Sequence, residues 1–300
     1  MTDFYSGFVP VIGRPNVGKS TLMNLFIGEK ISIVTNKPQT TRNKIRCILT
    51  REDYQIIFID TPGMHVPKTK LGDFMMKSAE NSLSEVDAVI YMVEPKGKIP
   101  EGDRMILKRL EKVKSPVFLA INKVDQVDKP GLLKIIEEYS KLYNFREIIP
   151  ISALKAENTE ALLKGVRQVL PQGPMYFPDD MITDSPERII VAEIIREKAL
   201  TFLQEEIPHG VAVEITQMRP REGESEIVDI DATIHCERES HKAIVIGKKG
   251  DMLKRIGTSA RLDAQRLLGS PIYLQLWVKV KKNWRDNAAH LRNFGYREFD

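Results

Sequence analysis

Short uncharged apolar runs recur along the first half of the chain, each followed by a polar or amphipathic stretch. Phe8-Val9-Pro10-Val11-Ile12, Ile56-Ile57-Phe58-Ile59, Ala88-Val89-Ile90-Tyr91-Met92-Val93, Val117-Phe118-Leu119-Ala120-Ile121 and Ile148-Ile149-Pro150-Ile151 have the length and composition of strands buried on both faces. A further strand is expected over 44–51, and Ser20-Thr21-Leu22-Met23-Asn24-Leu25-Phe26 opens a helix. Strand tips at Asp60, Glu94 and Asn122 each precede a helical segment. This alternation predicts an α/β fold: a doubly wound, mostly parallel sheet with helices on both faces and ligands at the carboxyl ends of its strands.

The pattern breaks at Leu170-Pro171-Gln172-Gly173-Pro174, and the Pro- and Asp-rich run to Ser185-Pro186 reads as a linker over 171–186. Beyond it, Ile190, Ile194, Ala199, Leu200 and Leu203 fall near helical spacing over 187–206. Strands are expected at 211–218 and 227–236, then a short helix at 242–246, a longer one at 252–267, a strand at 272–280 and a terminal helix at 284–292. The expected organisation is an α/β domain over 1–170 and an α+β domain over 187–300.

Two strings on the first domain's strand tips specify a ligand. Gly13-Arg14-Pro15-Asn16-Val17-Gly18-Lys19-Ser20 reads G-x-x-x-x-G-K-S between strand and helix. Loop N–H groups and the helix dipole converge on phosphates there, Lys19 adds charge near the β and γ phosphates, and Ser20 can ligate Mg²⁺. Thr21 completes the cradle at the helix start. Asn122-Lys123-Val124-Asp125 reads N-K-x-D. The Asp125 carboxylate can accept from guanine N1–H and the 2-amino group, whereas adenine would leave that charge unpaired. Lys123 can lay its stem on the base, and Asn122 can brace neighbouring loops. Ser152 and Ala153 can offer backbone N–H groups to guanine O6. Together the strings indicate GTP and GDP.

Asp60-Thr61-Pro62-Gly63 follows a buried strand, so Asp60 can hold Mg²⁺ through water and the Gly63 N–H can sense a γ phosphate. A threonine of Lys37-Pro38-Gln39-Thr40-Thr41-Arg42 can coordinate Mg²⁺ only while the γ phosphate closes the loop, which makes that loop a switch. Met64 occupies the position after Gly63 and cannot orient an attacking water.

Composition adds bounds. Three hundred residues with 42% apolar and 29% charged content suit a water-soluble chain of two domains. The apolar runs are far short of a membrane span, and the amino terminus lacks the basic region and apolar core of a signal peptide. Cys47 and Cys236, one in each expected domain, read as reduced thiols.

The net charge of +4 conceals an asymmetry: residues 181–240 carry 6 Lys/Arg against 14 Asp/Glu, and residues 241–300 carry 13 against 5. The basic segment holds Gly247-Lys248-Lys249-Gly250, whose glycines let a sugar–phosphate backbone approach while the lysines meet its charge. Ile244, Ile246 and Ile256 are candidates for the floor of an apolar groove. Trp277 and Trp284 read as packing residues.

The first-half motifs and their order resemble the translation-factor-related GTPases, and the G-R-P-N-V-G-K-S wording and Thr40-Thr41-Arg42 resemble the Era branch. The second half, with G-x-x-G between the middle helices of an α-β-β-α-α-β order, resembles a type II KH domain. That resemblance implies Thr41 as the Mg²⁺ and γ-phosphate sensor, with Lys19, Gly63 and Asn16 serving hydrolysis. Asn16 enters because cation-activated relatives share P-N-x-G-K-S, which implies a K⁺ ion on its amide oxygen. The resemblance also implies a monomer that binds small-subunit ribosomal RNA near its 3′ end during subunit assembly. Residence is then cytoplasmic, with peripheral contact at the inner face of the cell membrane. A constitutive RNA-binding module with nucleotide as a structural ligand is the alternative.

Overall fold

Five of the apolar runs form parallel strands of one sheet. The computed structural model describes residues 3–296 apart from positions 36, 38, 39, 65, 66, 68, 205 and 206, and without the side chains of 209, 224 and 225. Pro38 and Gln39 of the threonine loop, and Glu206, the expected end of a helix, lie outside the described residues. The strands are β1 (Tyr5–Gly13), β2 (Ile45–Thr50), β3 (Tyr54–Asp60), β4 (Val89–Val93), β5 (Val117–Ile121) and β6 (Glu147–Pro150), in the order β2-β3-β1-β4-β5-β6. Only β2 runs antiparallel, pairing with β3. Every residue of β4 and β5 is buried, as strands covered on both faces require. The helices are α1 (Lys19–Ile27), α2 (Lys70–Asn81), α3 (Glu101–Leu110), α4 (Lys129–Ser140) and α5 (Thr159–Arg167). Apolar residues of α2, α3 and α4, including Met76, Ala79, Ile106, Leu110 and Ile135, pack with Val89, Tyr91, Leu119 and Ile121 in one core.

Most of the segment read as a linker, residues 171–184, is hydrogen-bonded to the first sheet. Ser6 N–H donates to the Pro171 carbonyl at 3.1 Å, and Gly173 N–H to the Phe4 carbonyl at 3.0 Å. The Gln55 amide oxygen accepts from Tyr176 and Phe177, and Ile48 N–H donates to the Ile182 carbonyl. The segment is an extended strap whose backbone groups find partners on β1, β2 and β3.

The second half contains α6 (Glu187–Phe202), β7 (Ala212–Arg221), β8 (Glu224–Cys236), α7 (Glu239–Ile246), α8 (Asp251–Leu268), β9 (Ile272–Val280) and α9 (Ala288–Asn293). Its sheet has the order β7-β8-β9, with β7 antiparallel and β9 parallel to β8. Ile256, Ala260 and Ala264, spaced four apart, form the buried stripe of α8. The helix expected at 284–292 is split. Asn287 is extended there, and its side chain accepts from Ala289 and His290 N–H groups, so it caps a new helix.

Two assignments are corrected by exposure. Trp284 is fully buried and donates its indole N–H to the Gly210 carbonyl at 2.9 Å, but Trp277 is 43% exposed. Strand alternation explains the difference, because Leu276 approaches Gly257 of α8 and its neighbour Trp277 points to the other sheet face. Ile244 is likewise exposed, whereas Ile256 is fully buried. Ile256 therefore belongs to the core and Ile244 is open to a ligand.

The chain groups into two compact units. One comprises Met1–Ser32, Thr41–Val66 and Met75–Asp184; the other comprises Ser185–Asp300 together with Ile33–Thr40 and Pro67–Phe74. Cys47 and Cys236 are buried and unbridged, one in each unit. No helix among the described residues is long and apolar enough to cross a membrane.

Candidate functional site

The glycine-rich turn carries its residues from the tip of β1 into the first turn of α1. Lys19 is buried there, and its ammonium donates to the carbonyls of Gly13 at 3.2 Å and Arg14 at 3.0 Å. Burial lowers its pKa to about 8; Asp60 opposes that shift and Arg14 adds to it. A triphosphate in this cradle would favour the charged ammonium. Val17 is buried, whereas Pro15, Ser20 and Thr21 are partly exposed, and Asn16 is exposed at φ +66°.

Ser20, Thr41 and Asp60 come from three elements and meet at one point. The Ser20 hydroxyl donates to Asp60 Oδ2 at 2.8 Å and lies 3.0 Å from the Thr41 hydroxyl, which reaches the same carboxylate at 3.4 Å. Asp60 is fully buried, and its Oδ1 has no hydrogen-bond partner among the described residues. Burial raises its pKa, against the opposing effects of Lys19 and the hydroxyls. Two hydroxyl oxygens and a carboxylate with a spare lone-pair face are hard donors, and they fit Mg²⁺. Thr40 is turned elsewhere: its hydroxyl donates to the Lys37 carbonyl at 2.6 Å and lies 2.8 Å from the Thr35 hydroxyl. The geometry therefore separates the two threonines.

Gly63 lies against the phosphate loop so closely that a Cβ there would sit 2.8 Å from Pro15 Cα. Any side chain would push the segment off the loop. The next N–H, from Met64, donates to the Gly13 carbonyl at 3.1 Å. The Met64 side chain is buried with Ile12, Tyr91 and Ile99, so it is core and takes no part in water orientation.

At the guanine end, Asn122 ties three loops together. Its amide donates to the Val17 carbonyl and accepts from the Ala153 N–H, each at 2.8 Å. The Ser152 hydroxyl donates to Asp125 Oδ1 at 2.7 Å, which fixes the carboxylate's orientation. Lys123 has a left-handed backbone, and its ammonium donates to the Asn16 carbonyl at 2.9 Å and pairs with Glu94. Burial works against the charge of Glu94, but Lys123 and Lys96 hold its pKa below the usual value.

A buried network behind the phosphate loop has no counterpart in the sequence reading. Asp103 of α3, fully buried, accepts from Arg14 Nε at 2.9 Å, Tyr91 Oη at 2.9 Å and Tyr139 Oη at 3.1 Å. It joins the loop to α3, β4 and α4. In sequence Asp103 is one acid in a first helical turn, where it reads as a partner of the helix dipole.

In the second half, Lys248 and Lys249 form an exposed turn between α7 and α8. Gly247 (φ +74°), Lys249 (φ +53°) and Gly250 (φ +84°) are all left-handed, and a Cβ at Gly247 would lie 2.7 Å from Met252 Cβ. This is a tight turn presenting two adjacent cations, with a glycine on either side that adds no side-chain bulk.

These features define a class: a P-loop nucleotide-binding domain with a guanine-reading loop, followed by a KH domain. Residues 8–123 match the family model described as 50S ribosome-binding GTPase, and residues 206–285 match the KH domain model. The chain is 56% identical to GTPase Era of Clostridioides difficile strain 630 over 296 residues, covering 98% of this chain and 99% of that protein. Identity to GTPase Era of Caldanaerobacter subterraneus is 54%, covering 98% of each. Among solved structures, an Era in complex with MgGDPNP and nucleotides 1506–1542 of 16S ribosomal RNA matches with a TM-score of 0.94 at 40% identity, covering 98% of this chain and 99% of that one. An Aquifex aeolicus Era variant bound to GDP and AlF4⁻ matches with the same score, identity and coverage. The chain belongs to the Era GTPases.

Proposed function

We infer that this chain is a GTP-hydrolysing switch that binds small-subunit ribosomal RNA near its 3′ end during small-subunit assembly. The observation that carries this is the likeness to the Era bound to both MgGDPNP and 16S ribosomal RNA, because it extends through both domains. The large-subunit wording belongs to a model that stops at residue 123 and includes none of the KH domain. We assign the domains as 1–170 and 187–300, joined by the strap and a short connection.

The residues divide the work by chemistry. The turn from Gly13 to Ser20, with Thr21, cradles the phosphates, and Lys19 holds the β and γ oxygens. Asp125 reads guanine, Ser152 orients it, Lys123 covers the base, and Asn122 and Ala153 brace the loop. Ser20, Thr41 and Asp60 hold Mg²⁺, which when bound neutralises charge developing on the transferred phosphoryl group. Gly63 meets the γ phosphate through its backbone. Lys248 and Lys249, between Gly247 and Gly250, anchor the RNA backbone. The protein acts as a monomer in the cytoplasm, with any membrane contact at the inner face and peripheral.

Met64 leaves the usual water-orienting place filled by an apolar side chain, so charge must come from another group. We assign that role to Asn16 with a K⁺ ion at its amide oxygen. GTP turnover should be severalfold faster in KCl than in NaCl, and Asn16→Ala should erase the difference. Equal rates for the parent protein in both salts would remove K⁺ from the account. The RNA assignment is tested by crosslinking the protein to RNA in cells and sequencing the attached fragments. Enrichment at the 3′ end of small-subunit RNA is expected, and enrichment elsewhere would refute it.

A further inference from the structure

The unit built on residues 185–300 also takes in two short segments from the first half of the chain, Ile33–Thr40 and Pro67–Phe74. The first ends one residue before Thr41, and the second begins four residues after Gly63. Within that unit, Arg196 of α6 is fully buried. Its guanidinium pairs with Glu193, with Nε donating to Oε1 at 2.9 Å, and Nη2 also donates to the Thr40 carbonyl. An Arg–Glu pair one turn apart on a helix is ordinarily solvated, where it contributes little. Here the pair is desolvated, and its remaining hydrogen bond goes to the backbone of the threonine loop.

The carbonyl of Thr40 and the amide nitrogen of Thr41 belong to one rigid peptide plane. Pinning the carbonyl oxygen fixes the direction in which the chain enters Thr41. The Thr40 hydroxyl stiffens the other side through Lys37 and Thr35. Thr41 is 7% exposed, with its hydroxyl 3.0 Å from that of Ser20 and 3.4 Å from Asp60 Oδ2. The second segment has its own anchor, since the Lys70 N–H in the first turn of α2 donates to the Asp286 carboxylate at 3.0 Å.

We propose that Arg196 is a positioning residue for GTP hydrolysis: clamped by Glu193, it holds the Thr40 carbonyl and so sets the hydroxyl of Thr41. This rests on the reading of Thr41 as the residue that meets Mg²⁺ and the γ phosphate. Arg196 touches no reacting atom and acts through one peptide plane. Glu193 keeps the guanidinium from turning away, so it belongs to the same device.

The two states of the nucleotide separate this role from general stability. GDP lacks the γ phosphate and does not need Thr41 in place, so Arg196→Met in the full-length protein should leave GDP affinity within about twofold. Turnover of GTP should fall tenfold or more, because small misplacements of a catalytic group are costly. Arg196→Lys retains one donor for the Thr40 carbonyl and should recover part of the loss. It also serves as the test if the methionine variant does not fold. Unchanged turnover in both variants, or GDP affinity falling in step with turnover, would overturn the proposal. Thr41→Ala, measured alongside, keeps the two readings apart: undiminished turnover there would show that the assignment of Thr41 had failed.

Discussion

Asp125→Asn will exchange guanine for xanthine. The carboxylate would accept from both N1–H and the 2-amino group of guanine, whereas an asparagine keeps its amide oxygen for N1–H and sets its NH2 against the 2-amino group, donor to donor. Each buried donor left unmatched costs about 1–3 kcal/mol, so GTP affinity should fall roughly a hundredfold or more. Xanthine presents an oxygen at position 2, and XTP should restore binding to near the parental GTP level. The pocket tolerates the exchange because the Ser152 hydroxyl, 2.7 Å from Asp125 Oδ1, can donate or accept. Binding isotherms for GTP and XTP check it; unchanged GTP affinity would remove Asp125 from base reading.

Lys248→Asp with Lys249→Asp should weaken RNA binding sharply while leaving the nucleotide site intact. Both side chains are exposed, and Asp is among the residues best suited to the left-handed backbone at position 249, so the turn should survive. Losing two phosphate contacts to a single strand should flatten the plot of log affinity against log salt by about 1.4. GDP affinity should stay within twofold of the parent. Full RNA affinity in the double variant would place the RNA elsewhere on the chain.

Much of this was legible in the sequence because it depended on local spacing. The five apolar runs could be buried on both faces only in a mostly parallel sheet, and the loops at their tips held the nucleotide motifs. Other features depended on contacts between residues distant in the chain. Asp103 meets Arg14 across 89 positions, and nothing beside it in sequence marks it as the centre of a buried network. Glu193 and Arg196 look like the polar face of an amphipathic helix, but α6 is buried on that side as well. Trp277 was misplaced for a different reason. Its size suggested core, although its parity with Tyr273 and Lys279 on β9, opposite Leu276, marked the open face. The tie of residues 171–184 to β1, β2 and β3 was hidden because a Pro- and Asp-rich segment has the same composition whether it is bound or free.

One titration shows whether the nucleotide state sets RNA affinity. Full-length protein is titrated with a 3′-end fragment of small-subunit ribosomal RNA in the presence of a non-hydrolysable GTP analogue, GDP or no nucleotide. Binding should be tightest with the GTP analogue, by a factor of about 5–150 over GDP, and the same RNA must tighten analogue binding relative to GDP by that factor. Three equal RNA affinities would contradict that coupling and leave a GTPase and an RNA binder that merely share a chain.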